Sequence, residues 1–560
     1  MARRGLLWDD RGRFRGCRMM DRWVAGVLSL AFAGLLPGVV PRAAAQEALF
    51  PVSVSVAPRL DFTRDQMALA MAVSDDPDLA AFYGSNGLRP VFQGPEGAAR
   101  RQAVQAAIAG APRHGIPAAR YRPEALDAGG GLASEVAHAR ALSRLLRDLT
   151  GGVLNPARVD PEIKRQPRRD RVASLLTRFQ HAADPAAVVA GAAPDHPAYL
   201  TLQEALAGRA DLAVPAGLPR IPEGVWRAGM RDPAVAVLRA RLAAIGMAGQ
   251  AGDDAVFDAG LTDAVLTYQR AAGLPDDGVA GPRTIAALNG DGASGRDARQ
   301  RAIIVALERM RWMGSEDLDR RHVWVNIPEF STTIVEGGTE LFRTRSVMGK
   351  DTPEMRTPEF SEMMANVVVN PSWNVPRSIA VRDYLPRLQA NRHAVSHLDV
   401  VDGRGQVLSR DGIDFSAYTA ANFPFRLRQK PSDDNALGVV KFIFPNPWNI
   451  YLHDTPSKHL FANRVRAESN GCIRIGDPVD LAHALLSRQT ESPAAMFQRA
   501  RDSGRETWLK LTPAVPVHLV YFTAWPGMDG RVRLFDDIYG RDARIWAALE
   551  AEGFGAPSGL

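Results

Sequence analysis

The sequence predicts an α+β multidomain protein: a mainly helical first part, a small three-helix module, and a β-rich last part that carries a long insertion. Three observations predict this. The length of 560 residues exceeds what one core holds and suggests about three domains. Apolar periodicity shifts along the chain from helical to alternating. Sharply placed Gly, Pro and Asp residues set off the middle stretch from its neighbours. An apolar share of 46% with 23% charged residues excludes a disordered or fibrous class.

The first element, residues 1–45, reads as an export signal. Arginines precede an apolar run from Trp23 to Val40, and Ala43-Ala44-Ala45 follows as a small-residue cleavage site before Gln46. Pro37 and Gly38 break the run, which suits a signal peptide better than a membrane span of about 20 unbroken apolar residues. An uncleaved membrane anchor is the alternative. Translation from Met19 or Met20 would give a shorter, more usual leader. The formal charge of +6 has its origin here. Eight of the 68 basic residues and three of the 62 acidic ones lie in this segment, leaving 60 against 59. The basic excess therefore belongs to targeting, and nucleic acid is not an expected partner. Cys17 lies upstream of the cleavage site, so the mature chain keeps Cys472 as its one thiol. In an oxidising compartment such a cysteine is either buried and inert or chemically used.

Residues 51–220 are rich in Ala, Arg and Leu. Helical spacing covers Arg100–Ala109, Leu132–Leu149 and Ala183–Ala190, with breaks such as Gly110 to Gly115. His114 and Tyr121 read as loop and packing residues. Residues 225–290 form the module. Asp232-Pro233 is an N-cap with proline at N1, followed by Val235, Leu238 and Leu242. A second helix carries Thr262, Val265, Tyr268 and Gln269, and Gly281-Pro282-Arg283-Thr284 opens a third that ends at Leu288.

A helix around Ala302–Arg311 leads into the β-rich part, 318–535. His322–Ile327 and Ser331–Val335 alternate, and Gly337-Gly338 supplies a hairpin turn. Asn366–Asn370 and Val439–Phe444 read as buried strands. Between them, 376–431 is long enough to be a lid or subdomain. Strands at Val517–Thr523 and Arg531–Phe535 and a helix within 536–560 close the chain.

The chemistry concentrates in two short stretches. Ile450-Tyr451-Leu452-His453-Asp454 reads as a strand that brings an imidazole to the rim of a sheet. Nineteen residues on comes Ser469-Asn470-Gly471-Cys472-Ile473-Arg474. Gly471 permits a turn closed to other residues and a close substrate approach. A cysteine after it can aim its own N–H at the carbonyl it attacks. Ile473 and Ile475 suggest a short strand with Arg474 on the opposite face, and Asp477-Pro478 opens a helix. Attack on an amide needs a thiolate, a base, and donors for the oxyanion, which Cys472, His453 and the amides around Gly471 can supply. Asp454 is too close in sequence for its side chain to reach its neighbour's ring easily, but its carbonyl can orient the imidazole.

These residues also resemble a family. His453-Asp454-Thr455-Pro456 with Ser469, Gly471, Cys472, Ile473 and Arg474 is similar to the active-site signature of the L,D-transpeptidases, the YkuD-type catalytic domain. Val325-Asn326-Ile327-Pro328, Val347-Met348-Gly349-Lys350, Thr357-Pro358, Asn370 to Pro376, Asn435 to Gly438 and Lys441-Phe442 resemble its long periplasmic YcbB-like subgroup. The order of residues in 225–290 resembles a peptidoglycan-binding module. The resemblance implies a signal peptide (1–45), a helical scaffold domain (51–220), the module (225–290), a catalytic domain (318–535) with a capping insertion (376–431), and a C-terminal helix and tail (536–560). It departs at Asn470, where many members have His or Ser, and at Pro431-Ser432, where the subgroup has Pro-Gly.

The family reading implies a periplasmic enzyme without cofactor or metal, acting on the tetrapeptide stems of peptidoglycan, usually of the meso-diaminopimelate type. Cys472 would carry the acyl group and His453 would move protons, with Gly471 shaping the oxyanion turn and Asp454 orienting the ring. Ser469, Asn470, Arg474, Tyr451 and Trp373 are the pocket candidates, with Arg474 either holding the turn or meeting a substrate carboxylate. The products would be 3→3 cross-links. Water or a protein amine as acceptor would instead give a carboxypeptidase or an envelope-protein attachment enzyme. A metal site at His453, His459 and Cys472, and a binding protein without catalysis, are the remaining alternatives.

Overall fold

The computed structural model describes residues 62–555, apart from 128, 168–171, 208–213, 215–216, 248–253, 273, 275, 291–293 and 315. The export segment with Cys17, Met19 and Met20 lies outside the described residues, as do Gly273 and Pro275 of the module. Among the described residues no helix is long and apolar enough to cross a membrane. The fold is α+β and multidomain: helices fill the N-terminal region and strands the C-terminal one.

The first region packs helices Gly94–Gly110, Gly131–Gly151 and Val172–His181 around one apolar core. Gly110 to Gly115 is a tight 3-10 turn closed by Gly115 at φ +70°, so the chain turns without leaving the core. The module has helices Pro233–Ala244, Ala259–Ala272 and Pro282–Asn289 over its own core of Val235, Leu238, Leu242, Val265 and Leu288. Asp232 caps the first of them by accepting from Ala234 N at 2.7 Å. Gln269 is buried with its amide fully engaged: it donates to Asp277, the Val279 carbonyl and Thr284, and accepts from Gly278 N. That one side chain therefore pins the loop leading to the third helix.

The helix around Ala302–Arg311 is longer than expected, Ser294–Trp312. Its Ile304, Val305 and Trp312 belong to the first core, and its Ile303, Leu307 and Met310 to a second one beneath the β-region. The C-terminal helix Arg541–Ala551 joins the first core through Ile545 and Leu549.

Four strands precede the insertion: β1 (His322–Asn326), β2 (Ser331–Glu336), β3 (Thr339–Gly349) and β4 (Phe360–Val369). β5 (Trp373–Asn374) leads into the insertion, which holds β6 (Leu398–Val401), β7 (Val407–Leu408) and β8 (Arg426–Gln429). After it come β9 (Val440–Ile443), β10 (Leu452–His453), β11 (Ala467–Ser469), β12 (Ile473–Ile475) and β13 (Thr507–Val520), then the ribbon β14 (Ala524–Pro526) and β15 (Val532–Leu534). The large sheet runs β11-β3-β12-β10-β9-β4-β13-β1-β2. Long β3 pairs with β2 over its first part and with β12 at Ser346 and Val347, which closes the strands into a ring. Val323, Val325, Phe442, Leu452, Ile473 and Ile475 fill the interior.

Three expectations need correction. β1 is buried at all five positions rather than on one face, because Trp324 on its outer side is covered by the helix at 294–312 while Val323 and Val325 face the ring. Asp477 starts the helix Pro478–Leu486 but makes no side-chain cap; its carboxylate accepts from Thr344 Oγ1 at 2.7 Å. The last long strand begins at Thr507, ten residues before the expected Val517. Pro513 and Pro516 hide it, and the register shift between Lys510 and Val515 accommodates them.

The insertion forms a subdomain rather than a loop. It has a four-stranded sheet, β5-β8-β6-β7, and a core of Trp373, Leu385, Leu388, Leu398, Phe423 and Leu427.

Candidate active site

β10 pairs antiparallel with β9 and parallel with β12, so Lys441, His453 and Arg474 stand in one row across three strands. Phe442, Leu452 and Ile473 point into the ring, and strand alternation turns the row and Tyr451 to its outer face. Cys472 directly precedes β12, level with Tyr451, whose carbonyl accepts from Ile473 N at 3.1 Å.

The turn that delivers Cys472 is fixed by its own polar groups. Ser469 Oγ donates to the Cys472 carbonyl at 2.5 Å and accepts from Gly471 N at 3.1 Å. Gly471 sits at φ +109°, and a Cβ there would press on Ile450 at 3.3 Å, so the turn requires glycine. Thr357 Oγ1 donates to the Gly471 carbonyl at 2.8 Å. Ser469 is thus buried and occupied inside the turn, whereas Asn470 is exposed. Asn470 Oδ1 accepts from Arg382 of the insertion at 3.1 Å.

The thiol is partly exposed and donates to the Asn449 carbonyl at 3.5 Å. Trp373 is 9% exposed and belongs to the insertion's core, against which Tyr451 packs. Burial pushes the thiol up to about 11, against the opposing pull of Tyr451 and Arg474.

His453 is 6% exposed, and its Nδ1 is hydrogen-bonded to the Asp454 carbonyl. Since a carbonyl only accepts, Nδ1 carries the proton and Nε2 keeps its lone pair. Burial first, and then Arg474, depress its basicity to about 3, while the Asp454 contact works the other way. At neutral pH the resting pair is therefore a thiol and a neutral imidazole. The Asp454 carboxylate is turned away from the ring. It accepts from Val439 N at 2.9 Å, Thr455 N at 2.6 Å and Lys458 Nζ at 2.5 Å.

Arg474 is half-buried, with an Nε that has no hydrogen-bond partner among the described residues. Lys441, also buried, reaches the Ser372 carbonyl at 3.4 Å. Its signal in the sequence is a charge inside the apolar run Val439 to Ile443. Thr357 stood out only within the Thr357-Pro358 motif, without a role, and Arg382 and Asn449 had no signal, because each acts through the backbone or across the fold. Among the described residues no group of three or more His, Cys, Asp or Glu is placed to hold a metal ion.

The fold and the site define a catalytic domain with a helical support and a capping subdomain. Residues 320–496 match the family described as "L,D-transpeptidase catalytic domain", 77–206 the one described as "Scaffold domain", and 231–288 the one described as "Putative peptidoglycan binding domain". Residues 320–496 thus belong to the L,D-transpeptidase catalytic family, and the chain joins that segment to matches for the other two domains. A protein of Haemophilus influenzae named "Putative L,D-transpeptidase" is 34% identical over 225 residues, which is 40% of this chain and 45% of that protein. The chain thus spans about half the length of that relative. A crystal structure of an L,D-transpeptidase from Xylanimonas cellulosilytica covers 54% of this chain and 100% of its own, at 16% identity and a TM-score of 0.15.

Proposed function

We propose that this protein is an exported, periplasmic L,D-transpeptidase that forms 3→3 cross-links between peptidoglycan stems, with Cys472 as the acyl carrier and His453 as the acid and base. The observation that carries the reading is a thiol on a glycine turn at the head of β12, next to the strand β10 that bears a neutral imidazole whose Nδ1 is held by a backbone carbonyl. The membership of 320–496 in the catalytic family supports it. The match at 231–288 supports peptidoglycan as the polymer on which it works.

In this reading the Cys472 side chain turns from the Asn449 carbonyl toward His453. The thiol proton passes to Nε2 as sulfur attacks the carbonyl of the third stem residue, meso-diaminopimelate in the usual stem. The oxyanion that forms is met by the Cys472 N–H. Collapse breaks the C–N bond, and His453 returns its proton to the departing D-alanine amine. The side-chain amine of a second stem then attacks the thioester, gives a proton to His453 and releases Cys472 as a thiol. The ring is neutral at rest, which is the state the first proton transfer needs. Asn470 and Arg474 would meet the stem's polar ends, with Trp373 and Tyr451 beside them as apolar contacts. Residues 1–45 deliver the protein, either cleaved or as an anchor.

Expression in a host that lacks such enzymes, followed by muropeptide analysis, tests the proposal. Dimers with 3→3 links, absent with Cys472→Ala, are expected. Tripeptide stems without dimers would overturn transpeptidation in favour of hydrolysis, and wall-linked protein would favour attachment.

A further inference from the structure

The peptide joining Gly471 to Cys472 is a rigid plane whose C=O and N–H point in opposite directions. Whatever holds the Gly471 carbonyl therefore aims the Cys472 N–H. Among the described residues that N–H has no acceptor, whereas the Gly471 carbonyl is held at 2.8 Å by Thr357 Oγ1. Thr357 is fully buried. Its hydroxyl also accepts from Gly349 N at 2.9 Å, so its single proton is committed to Gly471.

Thr357 is held in turn from outside the matched catalytic segment 320–496. The Tyr539 hydroxyl donates to the Gly349 carbonyl at 2.5 Å and accepts from Thr357 N at 3.4 Å. Arg541 Nη2 donates to the Thr357 carbonyl at 3.0 Å. Both side chains are buried, and Arg541 is tied to Glu359 and Asp160. Gly349 has no room for a Cβ, which would run into Met355 O and Thr357 N, so the loop closes tightly on the strand it guards.

We infer that Thr357 is a positioning residue for the reaction, fixing the Cys472 N–H toward the oxyanion, and that Tyr539 and Arg541 after the catalytic segment hold it there. The inference rests on the acylation of Cys472 proposed above. Thr357 touches no reacting atom. It acts by denying the Gly471–Cys472 peptide any other orientation, and the C-terminal segment thereby becomes part of the catalytic apparatus.

The test compares two reactions of the same thiol in the full chain. Acylation by a carbapenem passes through an oxyanion; alkylation by iodoacetamide does not. Thr357→Val should slow acylation about tenfold to a hundredfold while alkylation stays within about twofold of wild type. Thr357→Ser, which restores the hydroxyl, should recover acylation, and Tyr539→Phe should give a smaller loss in the same direction. Wild-type acylation rates in Thr357→Val would overturn the inference, as would a parallel fall in both reactions, which signals general loosening. A wild-type protein that takes up no carbapenem while its thiol alkylates normally would instead overturn the acylation reading beneath it.

Discussion

His453 is oriented by the backbone carbonyl of its own neighbour, Asp454. The contact works because Asp454 is itself clamped. Its carboxylate holds the amides of Val439 and Thr455, and Gly438, at φ +58°, leaves no space for a side chain against it. The acid's charge therefore serves the loop, and only its carbonyl serves the ring.

Asp454→Ala should accordingly damage both stability and chemistry. Two buried amides lose their acceptor, at about 1–3 kcal/mol each, and the carbonyl that fixes the Nδ1–H tautomer is free to drift. A lower melting temperature and a roughly tenfold or greater fall in carbapenem acylation are expected, with Asp454→Asn milder in both. Melting curves and stopped-flow acylation read the two effects. A variant that melts early yet acylates normally would confine Asp454 to folding.

The resting thiol has its own signature. Burial disfavours the thiolate, so its pKa rises to about 11, and the thiolate fraction near neutrality is small. The rate of Cys472 alkylation by iodoacetamide should climb about tenfold per pH unit from neutral up to roughly pH 10, with no earlier plateau. Arg474 pulls the thiol pKa down, and removing it as Arg474→Gln should move the curve to higher pH. A plateau below pH 8 would reveal a preformed thiolate–imidazolium pair and sink this account.

Much of this arrangement was legible in the sequence, and for a physical reason. Cys472, Gly471 and His453 announce themselves because local backbone demands and reactive side chains coincide there. The module's helices were legible through Asp232-Pro233 and Gly281-Pro282, whose capping roles are local too. What stayed hidden depends on distant chain. β13 from Thr507 was masked by its prolines, and full burial of β1 follows from a helix that arrives from elsewhere. Thr357 is one hydroxyl among many until the fold sets it against Gly471. Asp477 shows the converse: a good local cap signal yielded to a tertiary hydrogen bond from Thr344.

The insertion meets the catalytic turn through Arg382 and Asn470, both at the surface. Asn470→Ala removes that tie without disturbing either core. The melting temperature should stay within about 2 °C of wild type, since exposed contacts contribute little. Amide exchange across 377–390 should quicken, and KM for a stem donor should rise severalfold while iodoacetamide alkylation holds. An unchanged KM together with unchanged exchange would remove the insertion's helix from substrate closure.

A costly single change lies in the buried ion pairs two residues beyond Thr357. Glu359 is buried between Arg309 at 2.5 Å and Arg541 at 3.3 Å, Arg309 also binds Asp542 at 2.9 Å, and Asp160 of the first region binds Arg544 at 2.6 Å. Arg309 and Arg541 thus share one carboxylate and each has one further acid, Asp542 and Asp160 respectively, and Asp542, pushed up to about 6 chiefly by burial, is a weak partner once the pH falls. Glu359→Gln leaves Arg309 and Arg541 undercompensated in a dry interior, a loss of roughly 3–5 kcal/mol. Asp542 protonates as pH falls through about 6 and takes away the counter-charge left to Arg309, so the deficit should deepen from pH 7 to pH 5. Thermal melts of wild type and variant at the two pH values, with amide exchange of helix Arg541–Ala551 followed in parallel, measure it. The variant should melt earlier and release that helix first. A difference that shrinks on acidification would mean that Asp542 repels Glu359 more than it supports Arg309.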